Sequence, residues 1–179
     1  IGYKAGFKND YGDGNCFIGT YSGYRNIYGK DNVFIGTQSG YNNEGSYNIF
    51  IGLQAGFSNY NGAFNTMLGF KAGYSNTTAY SNTFLGYKAG FSNTVGEENI
   101  IIGKESGLNN LTGSNNAFVG SQSGKYNTTG SANTFIGFYS GHNNTIGENN
   151  IFLGTYSGLS NKSGSNNVCI GKDAGSSLD

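Results

Sequence analysis

The chain has 179 residues, ten basic and ten acidic side chains and a formal net charge of zero, with only 11% of residues charged. Charge this sparse and this scattered excludes the basic stripe that nucleic-acid binding needs. No apolar run approaches the roughly 18 residues of a membrane-spanning helix, so direct membrane insertion is not expected.

In chain order, apolar triplets occur at 16–18, 33–35, 49–51, 66–68, 83–85, 100–102, 117–119, 134–136, 151–153 and 168–170, each followed by a glycine. Ile1–Gly2 repeats the end of the same unit. The step is 17 residues throughout, except for one of 16 between Gly36 and Gly52. A fixed period in this range marks an array of one supersecondary unit. The triplets are rich in Phe, Ile, Val and Thr, which suits strands, and they are too short for helices. No 3.6-residue period occurs. The predicted fold is therefore all-β: a parallel β-solenoid of about eleven 17-residue rungs. At about 4.8 Å per rung such a rod is roughly 50 Å long.

Between triplets the unit reads approximately N-x-F-I-G-x-x-A/S-G-x-x-N-x-x-G-x-x. Three in-register columns take every glycine except Gly14, with Ala79 once replacing the third. Glycine in register serves backbone positions that need positive φ or close approach. Asparagine forms two columns, and the first contains Asn26, Asn43, Asn59, Asn76, Asn93 and Asn110. Asn tolerates left-handed backbone and bonds within its own turn, and identical Asn side chains stacked about 4.8 Å apart bond to one another. The single deleted residue lies between Asn43 and Asn48. Deletions are tolerated in turns and not in registered strands, so the Asn-to-Asn segment is a turn.

Two apolar rows sit side by side in the triplets, and neighbouring strand residues point to opposite faces. The expectation is that the aliphatic row, Ile18, Ile35, Ile51, Leu68, Leu85, Ile102, Val119, Ile136, Leu153 and Ile170, forms the core ladder. Phe17, Phe34, Phe50, Phe84, Phe118, Phe135 and Phe152 would then face outward as a stripe buried between chains, because so long an apolar stripe is seldom left to water. A homotrimer about the rod axis is the favoured assembly. On this assignment Ile102→Asp abolishes cooperative folding and Lys104→Ala does little.

A third row is aromatic in its N-terminal part (Phe7, Tyr24, Tyr41, Phe57, Tyr74, Phe91) and then gives way to Leu108, Lys125, His142, Leu159 and Ser176. It reads either as packing under the turns or as a stacking surface for sugars. Cys16 and Cys169 lie nine rungs apart in different columns and cannot pair within a straight rod; both read as small buried hydrophobes. The one histidine cannot build a metal site or a catalytic triad alone. Asp10 and Asp13 lack the spacing of a calcium loop. No catalytic residue, metal ligand or cofactor is expected, and the chain reads as a non-enzyme. Thr20, Thr37 and Thr155 share a column with Leu53, Phe70, Lys104 and Phe138, too irregular for a flat ice-binding array. Sequons at Asn76, Asn110, Asn127, Asn143 and Asn161 read as by-products of the turn chemistry.

The runs NVFIGTQSGYNN, NTFLGYKAGFSN and NTFIGFYSGHNN resemble the left-handed parallel β-roll repeats of YadA-like heads in trimeric autotransporter adhesins. They also resemble longer-period relatives in tail fibres and surface fibres. The period of 17 exceeds that of the better-known heads, and Phe stands where those heads favour a small residue. The resemblance implies a left-handed β-roll in an extracellular homotrimer on a cell or virion surface. Residues 1–179 read as a single array and, since the chain opens in mid-repeat, as a piece of a longer fibre protein. The function this implies is a structural and adhesive fibre segment that binds a host, prey or matrix surface, with itself and a surface glycan or protein as partners. The alternatives are a passive architectural shaft and a monomeric carbohydrate- or ice-binding solenoid.

Overall fold

A computed structural model describes residues 1–178. It contains ten three-residue strands, β1 (Cys16–Ile18), β2 (Val33–Ile35), β3 (Ile49–Ile51), β4 (Thr66–Leu68), β5 (Thr83–Leu85), β6 (Ile100–Ile102), β7 (Ala117–Val119), β8 (Thr134–Ile136), β9 (Ile151–Leu153) and β10 (Val168–Ile170). They form one parallel sheet in sequence order, each pairing with the next copy of itself. Register is like on like: Phe34 pairs with Phe17 and Phe50, and Ile101 with Phe84 and Phe118. Among the described residues there is no helix. Ten paired strands make nine full turns of the solenoid, and Ile1 adds the start of another by accepting a hydrogen bond from Gly19 N at 2.8 Å.

The two apolar rows are exchanged relative to the sequence reading. Phe34, Phe50, Met67, Phe84, Ile101, Phe118, Phe135 and Phe152 are fully buried within one chain. They therefore form the core ladder, not a contact between chains. The aliphatic row points outward instead, with Ile18 39%, Leu85 39%, Ile136 43% and Ile170 68% exposed. Ile35, Ile51, Leu68, Ile102, Val119 and Leu153 lie on the same outer face, half-buried or exposed. The reason lies across the coil. Each inward ring lies against the second glycine of its rung: a Cβ on Gly40 would sit 2.5 Å from the Phe34 ring. Beside that glycine stands a buried Ala or Ser such as Ala55, Ala72 or Ser39. One large side chain per rung, Phe in most and Met67 or Ile101 in two, fills the space that these small residues leave. Adjacent rings stack, with Phe34 and Phe50 centroids 4.9 Å apart and Phe118 and Phe135 5.0 Å apart. Cys169 faces the core, but Cys16 is exposed on the outer face of β1, contrary to the expectation that both are buried.

Polar groups are satisfied rung to rung. In the first Asn column each Nδ2 donates to the Oδ1 below: Asn43 to Asn26 at 2.8 Å, Asn59 to Asn43 at 2.6 Å, and so on to Asn161. The same Nδ2 also donates to a carbonyl of its own turn, as from Asn110 to Gly113 O at 2.9 Å. Asn161 Oδ1, at the end of that column, is the one buried side-chain oxygen or nitrogen without a partner among the described residues. In the second column Asn Oδ1 accepts the backbone N–H of the next copy, as from Asn99 N to Asn82 at 3.0 Å. Buried serines tie each rung to the following core residue, Ser140 Oγ donating to Phe152 O at 2.7 Å. Burial of this many amides is tolerated only because nearly all are bonded.

The turns hold a surprise for glycine-based reasoning. Gly14 has φ +67°, and it occupies a column whose other members, among them Asp31, Tyr47 and Phe64, also have positive φ. A second such column runs through Gln38, Gln54 and Lys71. Left-handed backbone is uncommon for such residues; here the neighbouring rungs impose it twice per turn. After each strand glycine is obligatory on two counts: Gly103 has φ +132°, and a Cβ on it would lie 2.4 Å from Gly120 O.

Candidate binding faces

Four surface features rise from this scaffold. The first is the outer face of the sheet. The column of Leu85, Ile136 and their equivalents is aliphatic in all ten strands, and Ile49, Ile100 and Ile151 widen it in the neighbouring column, which also carries Thr66, Thr83 and Thr134. The face carries no charged residue. An apolar face of this extent marks an interaction surface.

The second is the aromatic row after the second glycine. Tyr24, Tyr41, Phe57, Tyr74 and Phe91 are half-buried and stack on one another, with centroids 5.0–5.2 Å apart and planes within 14°. Phe7 extends the stack below. Lys71 and Lys88 lie over rings at its edge. Because each ring covers the faces of its neighbours, the stack presents edges to solvent. Sugars bind aromatic rings through the faces, so this arrangement suits packing between rungs.

The third is a polar cluster where that row loses its aromatic character. Lys125 Nζ pairs with Glu105 at 2.9 Å, both side chains largely buried. The Lys125 bond holds the Glu105 carboxyl below its ordinary value, aided by the charge of Lys104 and Lys88 and opposed by burial. The His142 ring stacks on Tyr139, meets Tyr126 edge-on, and approaches Asn143 Oδ1 at 3.0 Å and Gln122 Oε1 at 3.3 Å. Burial lowers its pKa from 6.5, the contact with Asn143 opposes this and the charge of Lys125 reinforces it. The cluster is structural glue between rungs.

The fourth is a notch at the short rung, about 270 Å³ in volume, lined by Arg25, Asn42, Glu44, Ser58 and Tyr60. Sequence reading located the deletion and did not see that it opens a cavity.

Among the described residues no group of three or more His, Cys, Asp and Glu side chains could hold a metal ion. Asn76, Asn110, Asn127 and Asn161 spend the Nδ2 that a glycan would need on buried hydrogen bonds. Of the five sequons only Asn143, half-buried, lies outside that ladder. The chain matches no protein-family model, no curated protein and no solved structure.

Proposed function

We propose that this chain is a segment of an extracellular homotrimeric fibre that stands out from a cell or virion and contacts a host, prey or matrix surface. The observation that carries the reading is the uncharged aliphatic outer face of the sheet, Ile18 through Ile170. A second and third copy of the chain are the occupants that suit it best. A copy repeats the same rung spacing, so ladder meets ladder in register along the whole rod. The face offers apolar area and no charge to oppose the match. Three copies, extracellular placement and a surface partner follow from the resemblance to β-roll heads of surface fibres. Contact with that surface falls to the remaining columns, where tyrosines such as Tyr28, Tyr60 and Tyr80 stand exposed.

Light scattering tests the assembly: the expected mass is about 57 kDa, three times 18.9 kDa. A stable mass of 18.9 kDa overturns it. Binding of the labelled chain to cultured cells and matrix-coated plates separates an adhesive segment from a passive shaft, which binds neither.

A further inference from the structure

The notch lies at the one corner of the rod where the repeat is a residue short. On four rungs the turn is pinned by a side chain: Thr77 Oγ1 donates to Thr94 O at 3.0 Å, Thr94 to Leu111 O at 2.9 Å, Thr128 to Thr145 O at 3.0 Å and Thr145 to Lys162 O at 2.8 Å. In that same column the notch has Glu44 and Tyr60. One residue is missing after Glu44, and the three amides of Tyr60, Asn61 and Gly62 crowd onto the single carbonyl of Thr77. None of the Arg25, Asn42, Glu44, Ser58 and Tyr60 side chains makes a hydrogen bond or ion pair to another described residue. Ser75, Ser92 and Asn109, which continue the column of Asn42 and Ser58, also lack side-chain partners; what sets the notch apart is that five such groups, Arg25 and Glu44 among them, surround one cavity.

The geometry points to a saccharide-binding site in this notch. Arg25, Asn42 and Ser58 are stacked on three successive rungs on one side of the buried Asn column, and Glu44 and Tyr60 lie on the other. Three rungs span about 10 Å, enough for one or two pyranose rings. The Arg25 guanidinium offers a planar fork of donors that suits two neighbouring hydroxyl oxygens. Glu44 accepts from hydroxyl hydrogens, and the Asn42 amide and Ser58 hydroxyl do both. Tyr60, 51% exposed, pairs with no other ring among the described residues. Unlike the rings of the stacked row, it keeps a face free for the apolar C–H face of a sugar.

Charge selects against other ligands. A phosphate or carboxylate would meet Glu44. A divalent cation would meet Arg25 and find a single carboxylate where it wants several oxygen ligands. A neutral polyol uses both charges at once.

This deepens the surface-contact half of the function proposed above, from which it takes the premise that the rod binds something outside itself. Saturation-transfer difference NMR on the full chain tests it, with the methyl glycosides of glucose, galactose, mannose and N-acetylglucosamine as probes. At least one probe should show transfer, saturating with a dissociation constant on the order of 1 mM. Tyr60→Ala and Arg25→Ala should each weaken it at least about tenfold, while Tyr74→Ala, in the stacked row, should not. Inserting one threonine after Glu44 restores the 17-residue step, closes the notch and should abolish transfer with the melting temperature kept. No transfer from any probe, or equal transfer in the parent, Tyr60→Ala and insertion variants, overturns the site. Loss of transfer with trimeric mass intact counts against the notch alone. A monomeric mass with transfer intact counts against the fibre alone.

Discussion

Ile101 and Ile102 are neighbours in β6 and live in opposite worlds. Ile101 is fully buried between Phe84 and Phe118, and Ile102 lies on the outer face of the sheet. Aspartate at the first position would place a charge in the core with no partner, at a cost above about 4 kcal/mol. In a one-dimensional array the damaged rung also uncouples the blocks on either side. Ile101→Asp should therefore split or abolish the thermal transition. Ile102→Asp should leave a cooperative melt in dilute solution, within about 1 kcal/mol of the parent. Circular dichroism melts of the two variants check this, and a reversed order would restore the aliphatic row to the core.

Asn110 stands mid-way along the amide ladder. It donates to Asn93 Oδ1 and Gly113 O, both at 2.9 Å, and accepts from Asn127 at 2.7 Å. Asn110→Ala leaves Asn93 Oδ1 with no donor in a dry corner, where one unsatisfied group costs about 1–3 kcal/mol, and removes one bond each from Asn127 and from Gly113 O, which keep their bonds to Gly130 O and Asn99. A loss of about 3 kcal/mol or more is expected in urea unfolding. Asn110→Asp keeps the shape and removes both donors, so it should be no better at neutral pH. A neutral outcome for Asn110→Ala would mean that water replaces the ladder.

How much of this was legible in the sequence depends on what kind of signal carried it. Period, strands, turn position and both Asn columns were readable because the repeat copies each residue many times, and the register confirms them. The inward row was not, because both candidate rows are large and a strand alternates equally well either way. The deciding clue sat across the coil, in the Ala/Ser–Gly pair that leaves room for a ring. The left-handed backbone at Gln38 and Tyr47 was hidden as well, since neither residue type advertises it. Ala79 shows the tolerance of the third glycine column: the Asn76 bond to its carbonyl stretches to 3.3 Å, against 2.8 Å at Gly62. Of the notch, only its cause could be seen, a one-residue deletion whose spatial consequence needs coordinates.

Acidification should weaken the rod in two stages. The folded state holds the His142 pKa below 6.5, chiefly by burial. The unfolded chain then binds more protons as pH falls below that value, so stability drops with it. Glu105 is lowered from 4.5 by its bond to Lys125, and its contribution, present above that value, is lost as pH falls further. Melting temperature against pH should thus decline first below about 6.5 and again below about 4.5. His142→Gln should flatten the first decline and Glu105→Gln the second. A first decline unchanged in His142→Gln would place its origin elsewhere.

Leu85 tests the outer face without touching the core. It is 39% exposed on β5, near the middle of the rod, and its strand neighbour Phe84 is fully buried. A lysine at Leu85 can reach water in a single chain, so the monomer should fold with its melt changed by less than about 1 kcal/mol. Inside a trimer the same ammonium would be trapped against two copies of itself with no carboxylate at hand. Like charges brought together there cost several kcal/mol. Leu85→Lys should therefore lower the mass toward 18.9 kDa while the far-ultraviolet spectrum is kept. Pairing it with Ile136→Lys should complete the dissociation. A trimer that survives both substitutions would move the interface off this face.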